Sequence, residues 1–195
     1  VSSLVLFVLA LFSKANAIFF PLFITAFFCL FPRITGTKLR KITTLIAFWL
    51  INCLAVWIHM ANAYKTELIG VTQFGMNSWL FVAAKAVQIP FSDLKMFIAP
   101  FSLTVEYPET YFLGNVLIRS MICFVIICIL LYGAWIWRKK HILLTLGILW
   151  FFTSLIPVLN IFPTHPVVAD RYAYLAVLGT GLIFAYLLKI LKNKS

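Results

Sequence analysis

The chain has 195 residues, of which 64% are hydrophobic and 11% charged, and it carries a formal net charge of +11. A soluble domain is about half apolar and about a quarter charged, so the composition excludes a water-soluble globular fold. The positive charges gather at the ends of apolar runs, where the positive-inside rule puts them, and form no basic stripe, which excludes a nucleic-acid-binding surface.

Residues 1–12 are apolar but too short to span, and Ser13-Lys14-Ala15-Asn16 interrupts them. No charged leader or cleavage signal precedes this run, so the chain reads as starting inside a transmembrane helix, a fragment with further sequence expected upstream. Residues 17–31 are a second apolar run of about 15 residues, near the lower limit for a span. Pro32 and the basic stretch Arg33, Lys38, Arg40 and Lys41 close it. Residues 42–60 make a clean span, nearly covering the roughly 30 Å hydrocarbon layer at about 1.5 Å per residue.

Residues 61–109 form the longest stretch that does not span. Within it, residues 77–88 predict an interfacial helix. At about 100° per residue Asn77, Ser78, Lys85 and Gln88 share one narrow face and apolar side chains fill the rest. Pro90 is expected to end it. Further spans are expected at 112–136, 142–159 and 172–190. The first closes on an aromatic belt (Tyr132, Trp135, Trp137) followed by Arg138-Lys139-Lys140. The fold class is therefore all-α: a polytopic helical membrane protein with about five or six transmembrane helices and an interfacial helix, in one membrane domain over 1–195. Cys29, Cys53, Cys123 and Cys128 lie in apolar runs without CxxC spacing and read as small packing residues.

Threading the spans sorts the charge. The stretches 32–41, 138–141 and 189–195 hold Arg33, Lys38, Arg40, Lys41, Arg138, Lys139, Lys140, Lys189, Lys192 and Lys194, and no acid. They come out cytoplasmic. Glu67, Asp93, Glu106, Glu109 and Asp170 then all come out on the opposite face. Three ionisable groups share that face, and ionisable residues at membrane depth often mark a site. Lys14 occupies the break between the first two apolar runs and is a candidate anion ligand. Asp170-Arg171-Tyr172 opens the last span. Asp suits a helix N-terminus, whereas Arg opposes the helix dipole there and wants an anionic partner, for which a phosphate fits its planar fork. Glu106-Tyr107-Pro108-Glu109, with Lys85 and Lys95 in the same long stretch, is the third group. His59 and His165 lack ligand spacing, so no metal is expected. Asn52 and His59, seven residues apart, share a helix face and are expected to pack inward.

Three segments resemble motifs of a known family. Leu11-Phe12-Ser13-Lys14-Ala15-Asn16-Ala17 with Pro21-Leu22 resembles an "SKP…LP" junction. Ile98-Ala99-Pro100 through Leu103-Thr104-Val105-Glu106-Tyr107-Pro108 resembles a "WP…L…FYP" loop. Ile156-Pro157-Val158 through Ala169-Asp170-Arg171-Tyr172-Ala173-Tyr174-Leu175 resembles an "LP…ADRYxYLP" segment, the most specific of the three. Their order and separations are similar to the membrane region of the tetratricopeptide-linked O-mannosyltransferases and their bacterial relatives, in the GT-C glycosyltransferase superfamily. Ala15, Glu106 and Ala176 depart from the pattern, as does the missing Trp before Pro100.

The resemblance implies the C-terminal half of an integral, multi-pass membrane glycosyltransferase, in a bacterial inner membrane or the endoplasmic reticulum. Such an enzyme moves a sugar from a polyprenyl-phosphate donor to an acceptor on the non-cytoplasmic face, with its catalytic acid upstream of this chain. The fragment is expected to be inactive alone. Lys14 and Arg171 would hold the donor phosphate and Asp170 would hold Arg171. Tyr172, Tyr107 and Glu106 would line the pocket. No cofactor beyond the donor substrate is implied, and the partners are the bilayer, the donor and an acceptor. The competing readings are a non-catalytic scaffold or anchoring module, a transporter fragment, and another polyprenyl-linked enzyme such as a polysaccharide polymerase or ligase.

Overall fold

Long runs of Leu, Ile, Phe and Val satisfy their backbone polar groups internally by coiling, and only Pro, Lys or a polar cluster interrupts them. In the structure, a computed structural model, residues 2–32, 37–65, 79–99, 115–159 and 174–192 are described. Among these residues all regular structure is helical. The α-helices are α1 (Ser2–Ser13), α2 (Phe20–Leu30), α3 (Lys38–Lys65), α4 (Trp79–Ile98), α5 (Val116–Trp137), α6 (Ile142–Leu155) and α7 (Ala176–Lys192). Short 3-10 helices cover Ala15–Phe19 and Ile156–Val158.

Two stretches are long and apolar enough to cross a membrane, Lys38–Asn62 within α3 and Val116–Trp137, which is α5. At about 1.5 Å per residue they reach roughly 37 and 33 Å against a layer of roughly 30 Å. The helices Ser3–Ser13, Asn16–Leu30 and Ile142–Val158 are apolar but shorter. Five or six full crossings are therefore not seen among the described residues. Both long helices turn apolar side chains outward, among them Leu50, Leu54 and Trp57 of α3 and Ile122, Phe124 and Ile129 of α5. Cys29, Cys53 and Cys128 lie on such outward faces as free thiols, so the packing role expected for them is not one within this chain.

The chain divides into two compact units, Val1–Leu68 and Ile69–Ser195. The first is built on phenylalanine. Phe48 of α3, 2% exposed, meets Phe7 of α1 with ring centroids 5.1 Å apart and Phe20 of α2 at 5.9 Å. Phe7 also lies 5.9 Å from Phe20. A continuous helix would separate Phe7 from Phe20 by about 20 Å, so α2 folds back along α1. Trp49 Nε1 of α3 donates to Thr25 Oγ1 of α2 at 3.0 Å, and Thr25 Oγ1 donates to the Pro21 carbonyl at 2.7 Å.

The second unit is built on small residues. α6 and α7 run antiparallel and meet at Gly147 and Gly179. A Cβ added at Gly179 would lie 2.7 Å from the Phe151 amide nitrogen and 2.8 Å from the Gly147 carbonyl oxygen, so the two backbones touch. Close approach through small residues is how helices associate where no hydrophobic effect separates them from lipid. Phe151, Leu155 and Ala176 form the adjoining core, with Leu94 and Phe97 of α4 packed against it. Trp150 Nε1 donates to the Leu175 carbonyl at 2.8 Å, tying the start of α7 to α6.

Pro90 does not end the helix before it. α4 runs through Pro90 to Ile98. A proline inside a helix removes one i→i−4 bond, and here burial of both flanks of the helix holds it together: Ile89, Pro90, Ser92 and Asp93 are all buried. The expected water-facing polar side is also turned inward, with Lys85 and Gln88 buried where α4 packs on α5. Asn77 and Ser78 lie outside the described residues.

Candidate functional site

Of the residues singled out from the sequence, Lys14 is described. Glu106, Tyr107, Asp170, Arg171 and Tyr172 lie outside the described residues, as do Glu67, Glu109 and His165. Lys14 sits at the tip where α1 turns back into α2. Its backbone is extended (φ −157, ψ 131), its N–H donates to the Ala10 carbonyl at 2.9 Å, and its carbonyl accepts from Ala17 N–H at 3.1 Å. The backbone thus closes one helix and starts the next, which leaves the ammonium on an exposed tip. In the same unit two buried amide atoms, Asn16 Nδ2 and Asn52 Oδ1, have no hydrogen-bond partner among the described residues. Asn52 packs inward as expected, but His59 is exposed: seven residues along α3 carry it past the end of the packed region.

The second unit carries a polar seam that sequence reasoning missed. Gln88 Nε2 of α4 donates to Ser120 Oγ of α5 at 2.7 Å and lies 3.2 Å from the Val116 carbonyl. The Ser120 hydroxyl is 2.6 Å from the Val116 carbonyl and 2.7 Å from the Ala84 carbonyl across the interface, and its single proton serves one of them at a time. Ser92 Oγ donates to the Gln88 carbonyl at 3.4 Å. Lys85 and Asp93 are buried on the same helix, Asp93 at 1% exposure. The signal was present in the sequence: Lys85, Gln88 and Ser92 follow i, i+3, i+7, one helical face, once the helix is carried past Pro90.

Replacing Gln88 with Ala removes the amide that links α4 to Ser120. Polar contacts between packed helices in apolar surroundings average about 0.6 kcal/mol and reach about 1.7 kcal/mol. Gln88→Ala is expected to lower unfolding stability by about 1 kcal/mol, measured by denaturant titration in detergent. Gln88→Ala in a Ser120→Ala background should then cost clearly less than it does alone.

The two ends of the second unit differ chemically. α5 and α6 are joined by a tight turn at Arg138-Lys139-Lys140, and α7 finishes beside it with Lys189 and Lys192. At the other end lie the start of α5, the end of α6 and the start of α7. There α4 contributes Gln88 to α5 and Leu94 and Phe97 to the α6–α7 core. Asp93, the one acid among the described residues, is at this end with Lys85, Lys95 and Arg119. Compared with protein-family models, curated proteins and solved structures, the chain matches none.

Proposed function

We propose that the chain is an integral, multi-pass membrane protein forming part of a glycosyltransferase, which moves a sugar from a polyprenyl phosphate to an acceptor on the non-cytoplasmic face. The observation that carries this reading is the uneven density of cations in the second unit: Arg138, Lys139, Lys140, Lys189 and Lys192 gather at one end, against Lys85, Lys95 and Arg119 with Asp93 at the other. The basic turn and the last turns of α7 stand at one end. The buried Lys85–Asp93 helix stands at the other, where the chain leaves α6 at Leu159 and re-enters α7 after the Asp170-Arg171-Tyr172 motif. Positive-inside sorting makes the basic end cytoplasmic. The shorter apolar helices complete five or six crossings with α3 and α5 by tilting, local thinning of the bilayer and snorkelling of flanking residues. Arg171 offsets the charge that builds on the departing lipid phosphate, and Asp170 holds Arg171; Lys14, in the first unit, is a candidate anion ligand in its own right. Tyr107, Glu106 and Tyr172 line the pocket. The resemblance of the "ADRYxYL" segment supports the choice of donor, and α4 covers the end where the donor phosphate arrives.

Sided labelling tests the topology. Single cysteines at positions 139 and 170, in a chain with Cys29, Cys53, Cys123 and Cys128 replaced, should react from opposite sides of intact vesicles, 170 from the non-cytoplasmic side. Reaction of both from one side overturns the reading. A photoactivatable polyprenyl-phosphate hexose then tests the donor: crosslinks to the 160–173 segment are expected, and their absence leaves a scaffold or anchor as the better account.

A further inference from the structure

We propose that the basic end of the second unit is a binding site for the headgroup of an anionic phospholipid, a role separate from donor handling that rests only on the membrane reading above. The backbone that carries its cations is held in place, and so is the side chain of Arg138. Lys140 and His141 N–H both donate to the Trp137 carbonyl, at 3.0 and 2.8 Å, which fixes a tight turn between α5 and α6. Arg138 Nη1 donates to the Trp135 carbonyl at 2.6 Å, and its guanidinium lies 4.0 Å over the Trp135 ring. Tyr186 of α7 hydrogen-bonds His141 Nδ1 at 2.8 Å, locking the last third of α7 to the turn. Lys189 is one helical turn beyond Tyr186 on the adjacent face, and Lys192 one turn further.

Arg138, Lys139, Lys140, Lys189 and Lys192 therefore converge on one end, with Lys139, Lys140, Lys189 and Lys192 exposed and no described acid among them. α6 also begins here without a side-chain cap, so its first N–H groups face the same end.

The occupant follows from what borders the charge. Exposed Tyr132, Trp135 and Trp137 lie directly beside it, on a helix whose outer face is apolar from Met121 to Leu131. A free anion in water has no use for that border. A phospholipid uses both halves: its phosphate meets the lysines, and its glycerol and upper acyl chain lie against the rings, at the depth where Trp and Tyr gather in membrane proteins. Each Lys or Arg near an anionic surface strengthens attraction about fivefold.

The test is native mass spectrometry of the full chain in mixed micelles, titrated with phosphatidylglycerol or phosphatidylcholine. At least a tenfold preference for phosphatidylglycerol is expected. Lys139→Gln with Lys140→Gln and Lys189→Gln should bring it near parity, while Lys38→Gln with Arg40→Gln, at the start of α3, should leave it in place. Equal loss in both sets would mean diffuse charge and overturns the proposal. Displacement of the lipid by excess inorganic phosphate overturns it too. Removing lysines can invert topology, so position 170 is labelled from the outside in each variant. Tyr186→Phe keeps every charge and only unlocks α7 from the turn. It should weaken the preference severalfold with sidedness unchanged, and an unaltered preference in this variant refutes a built site.

Discussion

Gly179→Val is expected to destabilise the second unit by about 3 kcal/mol, whereas Gly181→Ala, two residues along the same helix, is expected to stabilise it by up to about 1 kcal/mol. The contrast rests on what each new Cβ meets. At Gly179 the neighbours are backbone atoms: Phe151 N at 2.7 Å, the Gly147 oxygen at 2.8 Å and Phe151 Cα at 3.0 Å. None can turn aside, so α6 and α7 must separate. Separation strains the Trp150–Leu175 hydrogen bond and opens the seam around Leu155, a side chain with 0% exposure. At Gly181 nothing lies within 4 Å, and the substitution acts through helix propensity alone. Denaturant unfolding of the full chain in detergent, read by helicity and by tryptophan fluorescence, separates the two. Equal stability of the two variants would mean that α6 and α7 do not touch at their glycines.

On the glycosyltransferase function proposed above, Arg171→Ala is expected to lower glycosyl transfer by about 100- to 1,000-fold, the cost of removing one charge-stabilising donor from a reacting centre. The argument is chemical. A leaving polyprenyl phosphate gains negative charge as the glycosidic bond breaks, and a guanidinium offers two parallel N–H donors to two phosphate oxygens. Arg171→Lys keeps the charge but loses the fork, so its activity should fall between wild type and Arg171→Ala. Because the loss lies in the transition state, kcat should fall more than KM rises. A variant with full activity removes Arg171 from the site, even if sided labelling upholds the topology.

The sequence made some of this architecture readable and hid the rest. α3 and α5 were legible because each is one uninterrupted apolar run of spanning length, and length with composition is what lipid selects. The turn at Lys14 was legible because a cation between two apolar runs breaks the pattern. α4 was misread at Pro90. Local rules say a proline stops a helix, but a buried helix is held by its neighbours, and the packing of Leu94 and Phe97 outweighs one missing hydrogen bond. The same helix shows why a polar stripe has no inherent direction. Gln88 faces a neighbouring serine as well as it could face water, and only the partner's position decides. The glycine contact was invisible, since Gly147 and Gly181 look alike until the opposing backbone is placed. The candidate anion ligands divide in the same way: Lys14 is described, while Arg171 and its neighbours rest on their chemistry and on the motif.

The unequal lengths of the helices in the second unit have a geometric outcome. α5 has 22 residues, about 33 Å, while α6 with its 3-10 extension, Ile142–Val158, reaches about 27 Å. Both start from the same tight turn, so along their axes a step of roughly 6 Å opens at the far end. α4 lies across that step, touching α5 on one side and the α6–α7 core on the other. The mismatch in height is thus filled by α4. Lengthening α6 by one turn would close the ledge and evict α4, a change measurable as loss of protection from proteolysis around Pro90.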